Sequence, residues 1–136
     1  LHYMIKILLY IALCFGKSSD LFVNVSGIES IKGSLYIALF KDPKTFPVFG
    51  KQWSGQSIPV KEKSMSYLFK NIPHDSYAIA VFHDENNNGI LDKNTLGIPL
   101  EPYGFSRNAR ARFSAPPFKD AQFELKGKQS IDISIR

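Results

Sequence analysis

The stretch SYAIAVF, residues 76–82, constrains this chain most strongly, because it alternates strictly. Tyr77, Ile79 and Val81 face one way, and Ala78, Ala80 and Phe82 the other. A period of two is the mark of an extended strand, whose successive side chains leave opposite faces. The same period recurs in Leu21, Val23 and Val25, and in Leu35, Ile37 and Leu39, which have Tyr36, Ala38 and Phe40 on the other face. It returns in Tyr67 and Phe69, in Ala121, Phe123 and Leu125, and in Ile131, Ile133 and Ile135. A weaker segment, SIPVKEK, places Ile58 and Val60 on one side. Helical spacing hardly occurs. Seven short segments separated by Gly, Pro, Asn and Asp predict an all-β chain folded as an antiparallel β-sandwich of about seven strands.

One corner is specified locally. Ile72-Pro73-His74-Asp75-Ser76-Tyr77 reads as a tight turn with a tyrosine at the head of the next strand. In sandwiches such a ring folds over the corner and hydrogen-bonds nearby backbone, so Tyr77 is expected to be structural.

The first residues differ in composition from the rest. Met4 is followed by Lys6 and then the apolar run Ile7 to Phe15, with Cys14 and Gly16 as small residues around a cut after Gly16. That run is shorter than the roughly 20 residues of a membrane-spanning helix, and its order matches a secretory signal peptide. The expectation is a leader over 1–16, one β-sandwich domain over 17–136, and an exported product, periplasmic or secreted. The alternatives are a buried first element and a lipoprotein cut before Cys14, where Leu13 is bulkier than such sites favour. Cys14 is the only cysteine, so the processed chain must be held by its core alone. A domain of roughly 100–150 residues buries enough apolar surface for that. The formal net charge of +5 is spread along the chain apart from Arg107, Arg110 and Arg112. Outside the cell, mild basicity suits an envelope glycan, a lipid head group or a protein partner better than nucleic acid, and it also suits a merely solvated surface.

The stretch from Tyr77 to Phe123 carries a series of spaced motifs. His83 to Asp92 reads HDENNNGILD, Gly97 to Pro99 reads GIP, and Tyr103 to Ala109 reads YGFSRNA; Pro117-Phe118 and Ala121 to Phe123 follow. This series resembles a family of exported bacterial proteins known only as a domain of unknown function. The resemblance implies an immunoglobulin-like or transthyretin-like sandwich and export, and brings no activity with it. Arg107 stands where the family pattern leads one to expect Asn or another small polar residue.

Two loops carry the chemistry. Counting from Asp84, side-chain oxygens fall at positions 1, 3, 5 and 9 as Asp84, Asn86, Asn88 and Asp92. Gly89 stands at 6, and Ile90 offers its carbonyl at 7. These are the first nine places of a calcium loop, but the twelfth, which should bring a bidentate Glu, is Thr95. Calcium, the one cofactor the sequence suggests, would therefore bind weakly, at about 10⁻⁴–10⁻³ M, with Glu101 available to complete the shell. The same run is good turn chemistry, since Asn, Asp and Gly tolerate left-handed backbone and bond their own main chain. The sequence leaves both readings standing. The second loop, 97–118, is rich in proline and aromatics, and nominates Tyr103, Phe105, Arg107, Arg110 and Arg112 as a ligand surface, or Tyr103, Phe105, Phe113 and Phe118 as a cap on the sandwich. Phe46, Phe49 and Trp53 in the 41–56 stretch pose the same choice.

Catalytic constellations are scarce. His74 and His83 flank one strand, roughly 30 Å apart if it is extended, too far to share a zinc. A triad through His83 and Asp84 meets the difficulty that neighbours on a strand face opposite ways. The sequence favours a non-catalytic binding or structural module of the bacterial envelope. The alternative is a small hydrolase-like enzyme using the 83–112 region.

Overall fold

The computed structural model describes residues 16–112 and 114–136. The leader residues 1–15 and Phe113 lie outside the described residues, so the structure does not bear on the expected leader. Among the described residues the chain is nearly all β, with eight strands in two sheets facing each other as a sandwich. They are β1 (Ser18–Ser26), β2 (Ser34–Phe40), β3 (Ser54–Pro59), β4 (Met65–Pro73), β5 (Asp75–Asp84), β6 (Tyr103–Phe105), β7 (Phe123–Leu125) and β8 (Gln129–Ser134). One sheet runs β4-β1-β8, the other β3-β2-β5-β6, and β7 pairs with the start of β5. A 3₁₀ turn over Ser106–Asn108 and a short helix, α1 (Phe118–Ala121), complete the order. No helix among them is long and apolar enough to cross a membrane.

The alternation read from the sequence builds the core between the sheets. Leu21, Val23 and Val25 of β1 meet Leu35, Ile37 and Leu39 of β2, Tyr77, Ile79 and Val81 of β5, and Ile133 of β8. The opposite face of the larger sheet is also covered. Ala38 and Phe40 of β2, Ala78 and Ala80 of β5 and Phe105 of β6 lie under Phe46, Phe118 and Ala121. The small alanines of β5 leave room for these large rings, which meet edge to face: Phe46 stands 5.3 Å from Phe40 and 5.8 Å from Phe118. Phe46 and Phe49 of one long loop and Tyr103, Phe105 and Phe118 of the other thus pack over this outer sheet face.

The strand expectations need four corrections, one being that Ala121, read into a strand with Phe123 and Leu125, ends α1 instead. The segment read as SIPVKEK pairs earlier, over Ser54–Pro59, with Leu39 opposite Ser54, and Val60 already lies past its end. An edge strand with one paired side tolerates that polar composition. A strand was also missed, Tyr103–Phe105, on the free edge of β5. Finally, one pair is parallel: β8 runs alongside β1, Leu21 opposite Gln129 through Ser26 opposite Ser134. The C-terminal segment returns from the larger sheet and fills the edge of β1 that β4 leaves open.

The corner is built as expected. The Tyr77 hydroxyl donates to the Pro73 carbonyl at 2.5 Å while the ring is fully buried. Burial, with help from the Asp75 charge, pushes the phenol up to about 12. The unfolded phenol ionises near 10, so above that pH the unfolded chain releases a proton the folded chain keeps. Stability should therefore fall from about pH 10 towards 12, by roughly 2–3 kcal/mol in all. Denaturant unfolding across that range should show a steeper loss in wild type than in Tyr77→Phe. At pH 7 the same substitution should cost only about 1 kcal/mol, the net value of one hydrogen bond. Equal alkaline slopes would mean that the folded phenol ionises as freely as the unfolded one.

Candidate functional site

β5 ends in the loop that the sequence marked. Asp84, buried at its base, receives the Asn88 amide on Oδ1 at 3.2 Å and the Gly89 amide on Oδ2 at 2.8 Å. Gly89 has φ +79 and Asn87 φ 54, so the chain curls through left-handed backbone that these two residue types accept. Asn86 Nδ2 donates to Asp92 Oδ2 at 2.8 Å, and Asn88 Nδ2 to Asp92 Oδ1 at 2.7 Å. Hydrogen bonds from Asn88 and then Asn86 hold the Asp92 carboxyl below the usual carboxylate range. Asn88 Oδ1 in turn accepts the Ile90 amide at 3.1 Å. Glu101, buried, closes the loop from beneath: Oε2 takes the Glu85 amide at 2.6 Å and Oε1 the Asp92 amide at 3.0 Å. All six carboxylate oxygens of Asp84, Asp92 and Glu101 thus accept a donor. Among the described residues no three of His, Cys, Asp and Glu form a set that could hold a metal ion. These hydrogen bonds clamp the loop.

Beyond Asp92 the chain forms a small arm. Lys93 bridges to Pro99, the Asn94 amide donates to the Ile98 carbonyl at 2.9 Å, and Asn94 Oδ1 takes the amides of Leu96 and Ile98. This backbone pattern leaves the arm's aliphatic side chains outside the core: Ile90, Leu96 and Ile98 are 62%, 82% and 55% exposed. They face a cleft of about 850 Å³ on the outer face of the larger sheet. Its floor is aromatic. Tyr36 stacks on Phe82 at 5.5 Å, and Phe49 stands edge-on to both, 4.6 Å from Phe82 and 5.6 Å from Tyr36. Tyr103 and Phe105 continue it, and Pro47, Val48, Arg112 and Ser114 also line the cleft.

The nominated ligand-surface residues separate. Tyr103, Phe105 and Arg112 line the cleft. Arg110 lies beside it, 4.8 Å from the Tyr103 ring, with Nη2 donating to the Tyr103 carbonyl at 2.8 Å. Arg107 is exposed and does not line the cleft; its φ of 58 is a conformation that the small polar residue expected there adopts more easily. Glu101 is at the loop base. Trp53, 46% exposed, lies apart from the cleft with Lys41 5.4 Å from its ring. Sequence reasoning missed Val48, Lys93, Leu96 and Ile98, although aliphatics inside a Gly-, Pro- and Asn-rich run were a legible signal.

The motif YGFSRN is a junction. Gly104 lies under the Ser134 carbonyl, where an added Cβ would come within 2.7 Å. Ser106 ties β5 to α1, and Asn108 Oδ1 accepts the Ser134 amide at 2.9 Å. The histidines take no part in the cleft. His83 is buried, with Nε2–H donating to the Lys32 carbonyl at 2.7 Å and Nδ1 without a partner among the described residues. His74 meets Ser19 Oγ at 2.6 Å, before the other end of β5.

Fold and site together define a β-sandwich protein with an aromatic-floored cleft on one sheet, walled by a clamped polar loop. The chain belongs to the family described as "Uncharacterized protein conserved in bacteria (DUF2141)", whose model covers residues 23–133. No curated protein and no solved structure matches it.

Proposed function

We propose that this chain is an exported, non-catalytic binding module of the bacterial envelope that holds an apolar ligand in the cleft between Phe49 and Ile98. The observation that carries this reading is the cleft itself. Its volume lies within the roughly 300–1,000 Å³ of small-molecule sites, and its aliphatics Val48, Ile90, Leu96 and Ile98 are left exposed to water. Its lining among the described residues has no carboxylate or imidazole to serve as general base, which favours binding over the hydrolase-like alternative. Export is supported by the leader pattern of residues 1–16 and by the family resemblance.

A neutral apolar fluorophore, N-phenyl-1-naphthylamine, tests the reading. Its emission should rise on binding the full chain, and Ile98→Asp or Leu96→Asp should weaken binding about tenfold by setting a charge where apolar contact forms. Both residues are exposed, so the fold should tolerate the change. Ile31→Asp, equally exposed but outside the cleft, should bind as wild type does. Equal affinity in all four proteins would overturn the proposal.

A weak calcium site in the same loop is a second reading, favoured by how Asn86 and Asn88 flank Asp92. A half-turn of each amide exchanges Nδ2 for Oδ1 at nearly the same point, so both oxygens would then stand beside the Asp92 carboxylate. Asp84 and the Ile90 carbonyl would extend that set, and Glu101 would support it from below. Millimolar calcium should raise the melting midpoint by several degrees, since a ligand at ten times Kd adds about 1.4 kcal/mol. Magnesium should do less, because it demands a tight octahedral shell. Asp92→Ala should abolish the difference between the two ions. Identical small shifts from both ions in wild type and Asp92→Ala would leave the loop as a turn.

A further inference from the structure

We infer that the arm over Ile90–Leu100 docks this protein on an anionic lipid surface, its aliphatic side chains entering the bilayer and Lys51 and Lys93 meeting the headgroups. The inference goes beyond the cleft reading and does not need a ligand in the cleft. Ile90, Leu96 and Ile98 are more than half exposed, as is Leu100 at 64%, and Val48, which lines the same cleft as the arm, is 50% exposed. Aliphatics gathered in this way mark an interaction surface, whereas singly scattered ones do not. The main chain of the arm is prepared for a dry environment. The amides of Leu96 and Ile98 both donate to Asn94 Oδ1, that of Gly97 to the Asn94 carbonyl at 3.0 Å, and that of Leu100 to the Asp92 carbonyl at 2.8 Å. Pro99 has no amide hydrogen. From Leu96 to Leu100, therefore, every backbone N–H is already bonded within the arm. A loop that stays in water has no need of this, because water satisfies such groups; in hydrocarbon an unpaired amide is costly.

The charge around the arm is positive. The 41–56 and 89–118 stretches, which supply most of the cleft lining, hold seven Lys and Arg against three Asp and Glu, four of the chain's five net positive charges. Lys93 stands on the arm among its aliphatics, and Lys51 follows the Val48–Gly50 part of the lining. Both are exposed, and neither side chain forms an ion pair among the described residues. Asp92, the acid of the arm, accepts from Nδ2 of Asn86 and of Asn88 instead of pairing with Lys93. Lysine suits this place, since its stem lies along apolar surface while the ammonium reaches the headgroups. The exposed set also points to lipid over protein. Protein interfaces are anchored by Tyr, Trp and Arg and are depleted in Lys, whereas the arm offers aliphatics with lysine beside them. Nor is an edge offered beneath the cleft for an added peptide strand, because β2 and β5 are each paired on both sides.

Co-sedimentation of the full chain with vesicles tests this, with mixed phosphatidylglycerol and phosphatidylcholine set against phosphatidylcholine alone. Affinity should be at least about tenfold higher for the anionic vesicles, and added salt should remove most of that difference. Leu100→Asp should weaken vesicle binding at least about tenfold, since it sets a charge where the arm enters lipid. Its far-UV circular dichroism should match that of wild type, because Leu100 is exposed. Leu100 does not line the cleft, so without vesicles this variant should still take up N-phenyl-1-naphthylamine as wild type does. The double substitution Lys51→Gln, Lys93→Gln should lower affinity for anionic vesicles about tenfold and leave that for phosphatidylcholine unchanged. Equal binding to both kinds of vesicle, or undiminished binding by Leu100→Asp, would overturn the inference. Loss of all vesicle binding with fluorophore uptake intact would overturn it and leave the cleft reading standing. Vesicle binding without fluorophore uptake would remove the cleft reading alone.

Discussion

Gly33→Ala should be among the most damaging single substitutions in this protein, lowering stability by about 2–5 kcal/mol. Gly33 has φ +63 just before β2, and an added Cβ would stand 2.1 Å from the Asp84 carbonyl oxygen and 2.8 Å from Glu85 Cα. Both are backbone atoms at the base of the clamped loop, where no side chain can swing aside. Left-handed backbone costs an L-residue about 1–2 kcal/mol, and forcing extra volume into a packed site adds about 1–3. Gly97→Ala separates the two contributions. Gly97 has φ +79 with nothing within 4 Å, so it should show the backbone cost alone. Urea unfolding of the two variants measures this directly; equal losses would mean that the Asp84 carbonyl gives way cheaply and the loop base is soft. A rigid base should also bring a functional consequence. Displacing Asp84 and Glu85 moves the attachment of the Ile90–Ile98 arm, so Gly33→Ala should weaken fluorophore binding more than Gly97→Ala does.

The sequence disclosed most of the strands because their information is local. Alternation in Leu21–Val25, Leu35–Leu39 and Tyr77–Val81 puts one set of side chains on one face whatever the neighbours do. What stayed hidden depends on partners distant in sequence. Three residues centred on Gly104 carry no detectable period, and Tyr103–Phe105 is a strand only because β5 has an open edge there. Nor does alternation in Ile131 and Ile133 say whether β8 runs with or against β1; that follows from where the chain re-enters the smaller sheet. The 84–92 loop was legible as a ring of oxygens and a glycine, but not in how those oxygens are used. Glu101 lies seventeen positions beyond Asp84, and only the folded chain shows its carboxylate gripping the Glu85 and Asp92 amides. The cleft was legible in halves. Phe49 and Tyr103 were marked in separate loops, and the outer face of the sheet brings them to one floor while Arg107 and Trp53 remain outside it.

Ser106→Ala should cost about 2–6 kcal/mol, far more than its size suggests. Ser106 is fully buried, and its hydroxyl works in both directions. Oγ accepts the Ile79 amide at 2.9 Å and donates to the Ala121 carbonyl at 2.5 Å. Ile79 lies in the middle of β5, and Ala121 ends α1, so one oxygen joins the central strand to the layer over it. Removing it strands two buried main-chain groups at once, each costing about 1–3 kcal/mol when unsatisfied. Alanine leaves little room for water to replace them, because the neighbours Phe105, Phe118 and Ala121 are themselves buried. Ser106→Thr keeps the hydroxyl and should lose less than Ser106→Ala unless its added methyl is badly crowded. Hydrogen exchange locates the damage: the Ile79 amide should lose protection in Ser106→Ala well beyond the global change in stability. Unchanged protection there would show that the serine is filler, and that the YGFSRN motif is held by Gly104 and Asn108 without it.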